Sequence, residues 1–194
     1  MHMMFRTLLH YFFHGRRGRR LGFGDVSRSS FRVMPTDLDL LRHVNNGVYL
    51  SIMDVARFDM LQRNGVMAIF SARGWYPVVV AETISFRKSL QLWEKFTIES
   101  KMLGFDDQAV YLEQRFVRPD AEGSPEVYAR AVVRARILKR AGGVVKVADI
   151  ASAAGVSVDD FTLPEQLRQW GLASRLPSTR DTAPSVWSTT YPAA

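Results

Sequence analysis

Between positions 36 and 49 the chain reads Thr36-Asp37-Leu38-Asp39-Leu40-Leu41-Arg42-His43-Val44-Asn45-Asn46-Gly47-Val48-Tyr49, its densest run of carboxylate, imidazole and carboxamide groups. The run stands just before a stretch with helical spacing. A helix start offers unpaired backbone N–H groups and the positive end of a dipole, so it can hold a carbonyl oxygen on which negative charge develops. A carboxylate beside it can act as base or nucleophile. Asp and Asn are also ordinary turn and capping residues, and one His in a loop more often hydrogen-bonds than catalyses. Residue types alone leave both readings open.

Other chemistries fare worse. The chain has no cysteine, which removes disulfides, thiolate metal sites and a thiol nucleophile, and fits a reducing compartment. One histidine with two aspartates lacks the paired spacing of a zinc site. No Gly-x-Ser-x-Gly elbow occurs. No metal and no cofactor is expected.

The elements that must position these residues can be read from periodicity. A short strand is expected over 30–34, stopped by Pro35. Residues 46–64 lack proline, follow asparagines suited to capping and end at Asn64-Gly65, which predicts a helix. Tyr49, Ile52, Met53, Ala56 and Met60 share one face. Val48, Val55, Phe58 and Leu61 widen it, leaving Ser51, Asp54, Arg57, Gln62 and Arg63 for water or polar contacts. After Gly74 the period changes to two, in runs over 78–86, 95–103, 109–117 and 127–138 whose short separators suggest an antiparallel meander. In the last run Ala129, Ala131, Val133 and Ala135 face one way; Arg130, Arg134 and Arg136 face the other, which is expected to meet solvent. A sheet wrapped around one long buried helix is an α+β architecture. Beyond Gly142 the alternation stops, a short helix is expected over 161–170, and the Pro, Ser and Thr content from Ser174 suggests a mobile tail.

Asp39-Leu40-Leu41-Arg42-His43-Val44-Asn45-Asn46 followed by Tyr49 resembles the Asp-x-x-Gly-His-Val-Asn-Asn-x-x-Tyr motif of hotdog acyl-CoA thioesterases related to hydroxybenzoyl-CoA thioesterase, in particular their bacterial and THEM-type branch. Ile84-Ser85-Phe86-Arg87-Lys88-Ser89-Leu90 is similar to the strand with Arg and a following Leu that this family carries after its helix. The resemblance spans roughly 31–140 and implies a hotdog fold. It gives Asp39 the place of the catalytic carboxylate, as general base for water or as nucleophile forming a mixed anhydride. It further implies that Asn45 and Asn46 shape the loop and cap the helix, that N–H groups near Asn46 and Gly47 polarise the thioester carbonyl, and that His43 positions loop or substrate. Tyr49, Arg87 and Lys88 are expected at the substrate, the two cations toward coenzyme A phosphates. Asp37 is expected as a turn residue. Arg42 stands where many relatives have glycine, which bears on the loop's conformation. Because hotdog relatives associate through sheet edges, a homodimer or homotetramer is expected.

The implied substrate is an acyl-CoA, with an acyl-carrier protein as the neighbouring alternative. From another class, a noncatalytic hotdog protein that binds lipid remains, against which the retained Asp39 argues. A net charge of +7 and a pI near 10.0 suit polyanions, but the arginines are scattered and no aromatic RNA-binding motif is present, so no nucleic acid is expected. Residues 1–24 form an apolar and basic segment, 25–141 the hotdog domain and 142–194 an extension with a short helix and a tail. Met3 to Phe13 run into Arg16, Arg17, Arg19 and Arg20, the reverse of a secretory signal. Either residues 1–20 touch an anionic membrane or they form a helix packed on the domain. The expected location is the cytoplasm, with peripheral contact to the inner membrane face under the first reading.

Overall fold

The computed structural model describes residues 19–185. The two readings of the N-terminal segment fall mainly on residues 1–18, and the last part of the expected tail on 186–194, outside the described residues. Among the described residues no helix is long and apolar enough to cross a membrane.

Strand β1 (Ser27–Arg32) leads into a single 3-10 turn, Pro35–Asp37, then helix α1 (Asn46–Arg63) and a short α2 (Val66–Ala72). Four strands follow: β2 (Trp75–Phe86), β3 (Lys95–Phe105), β4 (Val110–Pro119) and β5 (Pro125–Lys139). Helices α3 (Val147–Ala154) and α4 (Glu165–Ala173) close the described chain. Neither α2 nor α3 was expected; each is about two turns long, too short for a periodic signal to stand out. Helix α4 starts with Pro164 as its N-cap, where proline's missing N–H costs nothing.

All five strands join one antiparallel sheet in the order β1-β3-β4-β5-β2. This corrects the simple meander. Only β3, β4 and β5 run as consecutive neighbours, while β2 pairs with β5 at the far edge. The separator between β2 and β3 is therefore no hairpin but a connection that crosses three strand spacings, about 14 Å. Strand β1 begins earlier than expected because its inward residues Ser27 and Ser29 are polar. Ser29 Oγ donates to Asp59 Oδ2 at 2.7 Å, and Arg63 donates to the same oxygen and to Ser27. Buried hydroxyls satisfied by an ion pair leave no apolar alternation to read.

The α1 face formed by Tyr49, Ile52, Met53, Ala56 and Met60 is buried in the hollow of the sheet as expected, the Ile and Met side chains contributing about 1.5–3 kcal/mol each. Arg57, expected to meet water or polar contacts, takes the polar contacts. It is only 8% exposed, its Nη1 donating to Gln114 Oε1 on β4 at 2.8 Å.

The other sheet face corrects the reading of the arginine row as solvated. Arg130 is exposed, but Arg134 lies buried beneath the C-terminal extension, 2.9 Å from the carboxylate of Asp106. Tyr111 donates to Asp106 Oδ2 at 2.7 Å and accepts from Arg134 Nε at 2.9 Å. Burial together with Asp106 pushes the Tyr111 phenol up to about 12. Helix α4 seals this network: Trp170 meets the Tyr111 ring edge-on at 6.2 Å, and Gly171 sits so close to the Tyr111 hydroxyl that no Cβ fits there.

Candidate active site

The site begins where Pro35 ends extended pairing. Asp37 is buried and accepts the Met34 N–H at 2.8 Å, while its carbonyl accepts the Asn45 N–H at 2.9 Å. It is the expected turn residue, and it ties the two ends of the motif together. Between them, Leu38 and Val44 form a bridge and Asp39 N donates to His43 O at 2.8 Å, so 38–44 is a tight hairpin. The half-buried Asp39 carboxylate folds over that turn. Its Oδ1 accepts the N–H groups of Leu41 at 2.9 Å and His43 at 3.2 Å, while Oδ2 has no hydrogen bond among the described residues.

Arg42 closes the hairpin with φ 63°, the left-handed conformation that glycine adopts without cost. The loop geometry is thus kept with a residue that strains to adopt it. Arg42→Gly is expected to be about 1 kcal/mol more stable than Arg42→Ala, read from urea midpoints; equal stabilities would show that position 42 does not hold this conformation.

Two residues past the hairpin's base at Val44, α1 starts. Asn45 caps it, with its Oδ1 accepting the Gly47 N–H at 2.9 Å and its carbonyl accepting from Val48 and Tyr49. Gly47, expected to face a substrate carbonyl, thus has its N–H occupied. Asn46 differs: its backbone N–H has no acceptor among the described residues, so it is the first-turn donor left for an incoming oxygen. His43 is exposed on the return side of the same hairpin, opposite Asp39, and Leu40 and Leu41 at its tip are also in solvent.

The remaining expected residues divide. Tyr49 is 3% exposed, its hydroxyl accepting from Leu90 N at 3.4 Å and its ring packed against Phe86 and Phe116. Burial raises its phenol above the usual value, and in this single chain its side chain is packed in the core. The Tyr49–Phe86 contact brings the end of β2, with Arg87 and Lys88, to the same end of the fold as α1's N-terminus. Both cations pair with Glu126, at 2.7 and 2.9 Å, and these contacts hold the Glu126 carboxyl below its usual range. Two cations on one carboxylate leave one positive charge uncompensated. Sequence reasoning missed the Arg57, Gln114 and Glu82 cluster, because an arginine on a helix and a glutamine in a strand give no signal until the two elements meet.

The thioesterase-like superfamily model matches residues 33–171. The chain belongs to that superfamily. Among curated relatives, Protein THEM6 of Xenopus laevis is 46% identical over 85 residues, 44% of this chain and 41% of that one. Protein THEM6 of Danio rerio is 41% identical over 86 residues, 44% and 43% of the two chains. The matched part thus spans less than half the length of these relatives. A probable thioesterase of Escherichia coli, YbaW, superposes with a TM-score of 0.60 at 23% identity, covering 66% of this chain and 95% of that one. A 4-hydroxybenzoyl CoA thioesterase complexed with 4-hydroxybenzoyl CoA gives 0.59 at 17% identity, covering 66% and 98%. The superfamily member described here therefore has the hotdog fold: the five-stranded sheet is the bun and α1 the filling.

Proposed function

We propose that this chain hydrolyses acyl-CoA thioesters to a free acid and coenzyme A. The observation that carries the reading is a half-buried carboxylate, Asp39, in a tight hairpin, with the unpaired Asn46 N–H two residues beyond that hairpin at the start of α1. The Asn46 N–H receives the thioester oxygen as it gains negative charge. Asp39 takes a proton from water as the water oxygen bonds to the carbonyl carbon. Collapse breaks the C–S bond, and the departing thiolate takes up a proton. In the second route the Asp39 carboxylate attacks the carbon itself and the C–S bond breaks, the departing thiolate taking up a proton; water then opens the mixed anhydride, releasing the acid and restoring the carboxylate. His43 stands at the mouth, and the spare positive charge of the Arg87, Lys88 and Glu126 group attracts coenzyme A phosphates. The fold neighbour bound to 4-hydroxybenzoyl CoA supports the substrate class.

The active form is proposed to be a homodimer or a larger homo-oligomer. Strand β2 is an unpaired sheet edge whose Tyr76, Val79, Val80 and Phe86 stand exposed, an edge that pairing with a second copy would cover. The proposed setting is the cytoplasm, with residues 1–20 touching the inner membrane face, in the service of lipid metabolism. Thiol release from short, long and aromatic acyl-CoAs by the purified chain tests the activity. Release from at least one supports it; none from any of them overturns it in favour of carrier-protein substrates or a lipid-binding role.

A further inference from the structure

Helix α1 lies closer to β1 and β3 than to β2, and side chains span the wider gap to β2. The gap is bridged near the Asp39 end by the Tyr49–Phe86 contact, and midway by Arg57, which pairs with Asp54 and lies 3.7 Å from Glu82. Beyond Arg57 it widens into a cavity of about 270 Å³ between the second half of α1, α2 and the sheet. Phe58 and Leu61 of α1 and Pro77 and Val79 of β2 line it on the side of that gap, and Met60, Met67, Met102, Phe70, Leu112 and Ile137 are among its walls. Apart from Asp54 and Arg57, already paired with each other, its lining is apolar.

We infer that this cavity takes the far end of an unbranched alkyl chain, so that the thioester cleaved at Asp39 carries a long aliphatic acyl group. The inference rests on the acyl-CoA reading above. Asp54, the first α1 residue on the cavity wall, lies eight positions past Asn46, about 12 Å along the helix axis. An acyl group held by its carbonyl at the Asn46 N–H thus reaches the cavity only if its chain is long; acetyl and butanoyl groups end well before it. The three methionines suit a flexible tail, because an unbranched thioether side chain reshapes around what it packs on. The bridging cluster sets two carboxylates against one guanidinium. A tail ending in its own carboxylate therefore meets repulsion, whereas a plain alkyl chain loses nothing by passing it.

Leu61→Trp at the rim and Ala135→Leu in the floor fill the cavity without touching the hairpin. The ratio of kcat/KM for hexadecanoyl-CoA to that for butanoyl-CoA is expected to fall about ten-fold or more in each folded variant. An unchanged ratio in both overturns the inference while leaving the hydrolytic reading intact. A parallel calorimetric measurement compares hexadecyl-CoA and butyl-CoA, the uncleavable thioethers. Tighter binding of the hexadecyl compound, lost in the filled variants, supports the cavity assignment even if no thioester is cleaved. Equal binding of the two shows that the longer chain gains no contact in the cavity, and overturns the inference.

Discussion

Asp39→Ala and Asp39→Asn each lower kcat/KM for the preferred acyl-CoA by about 10²–10⁴-fold, the range that one positioned acid-base group supplies. Asparagine keeps the acceptor that holds the Leu41 and His43 N–H groups, so the hairpin survives; what it loses is the anionic oxygen that takes a proton from water or attacks the carbon. Alanine removes both. The pair therefore separates loop integrity from chemistry: equal losses assign the effect to the carboxylate, and a loss confined to alanine assigns it to the turn. Single-turnover experiments that trap an acyl-enzyme in the wild type would identify the anhydride route, and their failure the water route. Both variants need a thermal melt close to the wild type's before the rates are compared. Activity equal in all three proteins would sink the mechanism.

The second large effect concerns stability. Asp106 sits at the turn between β3 and β4 and accepts the N–H groups of Gln108 and Ala109 at 2.7 Å each, the Tyr111 hydroxyl and Arg134, with Arg175 arriving from beyond α4 at 3.4 Å. Asp106→Ala strands the Arg134 charge beneath the C-terminal extension. Removing one partner of a buried ion pair costs about 3–5 kcal/mol, far more than the pair contributes against an apolar replacement. The urea midpoint is expected to drop accordingly, and a change under about 1 kcal/mol would show that water reaches Arg134. Burial alone would raise the Asp106 carboxyl, but the hydrogen bonds from Gln108, Tyr111 and Arg134 outweigh it and hold the group below its ordinary 3.8. A carboxyl lowered by folding contributes stability above that ordinary value and loses it as pH falls through the lowered one. Acid titration of the wild type should therefore show a loss of stability below about pH 4 that Asp106→Ala does not share.

What was legible in the sequence is local. The 46–64 helix announces itself through its Asn caps and an apolar face repeating every three to four residues, and four strands through period two; both patterns depend only on neighbours along the chain. The motif around Asp39 was readable for the same reason, because a hairpin of seven residues and a cap lie within a few bonds of each other. Strand β1 was read out of register since its inward serines are satisfied by Asp59 and Arg63, thirty and more positions away. The meander failed at β2, since period two says that a run is a strand but not which edge it joins.

By itself, then, the sequence determined the α+β class, the central helix and the polar run that carries Asp39. Tertiary structure alone decided that Arg57 is buried against Gln114, that Arg134 lies under α4, that Ser29 is buried on Asp59, and that Asn46 rather than Gly47 holds the unpaired N–H. The physical reason is common to all four. A polar residue's place depends on which partner arrives to satisfy it, and here those partners come from other elements or from the details of a cap, neither of which spacing along the chain records.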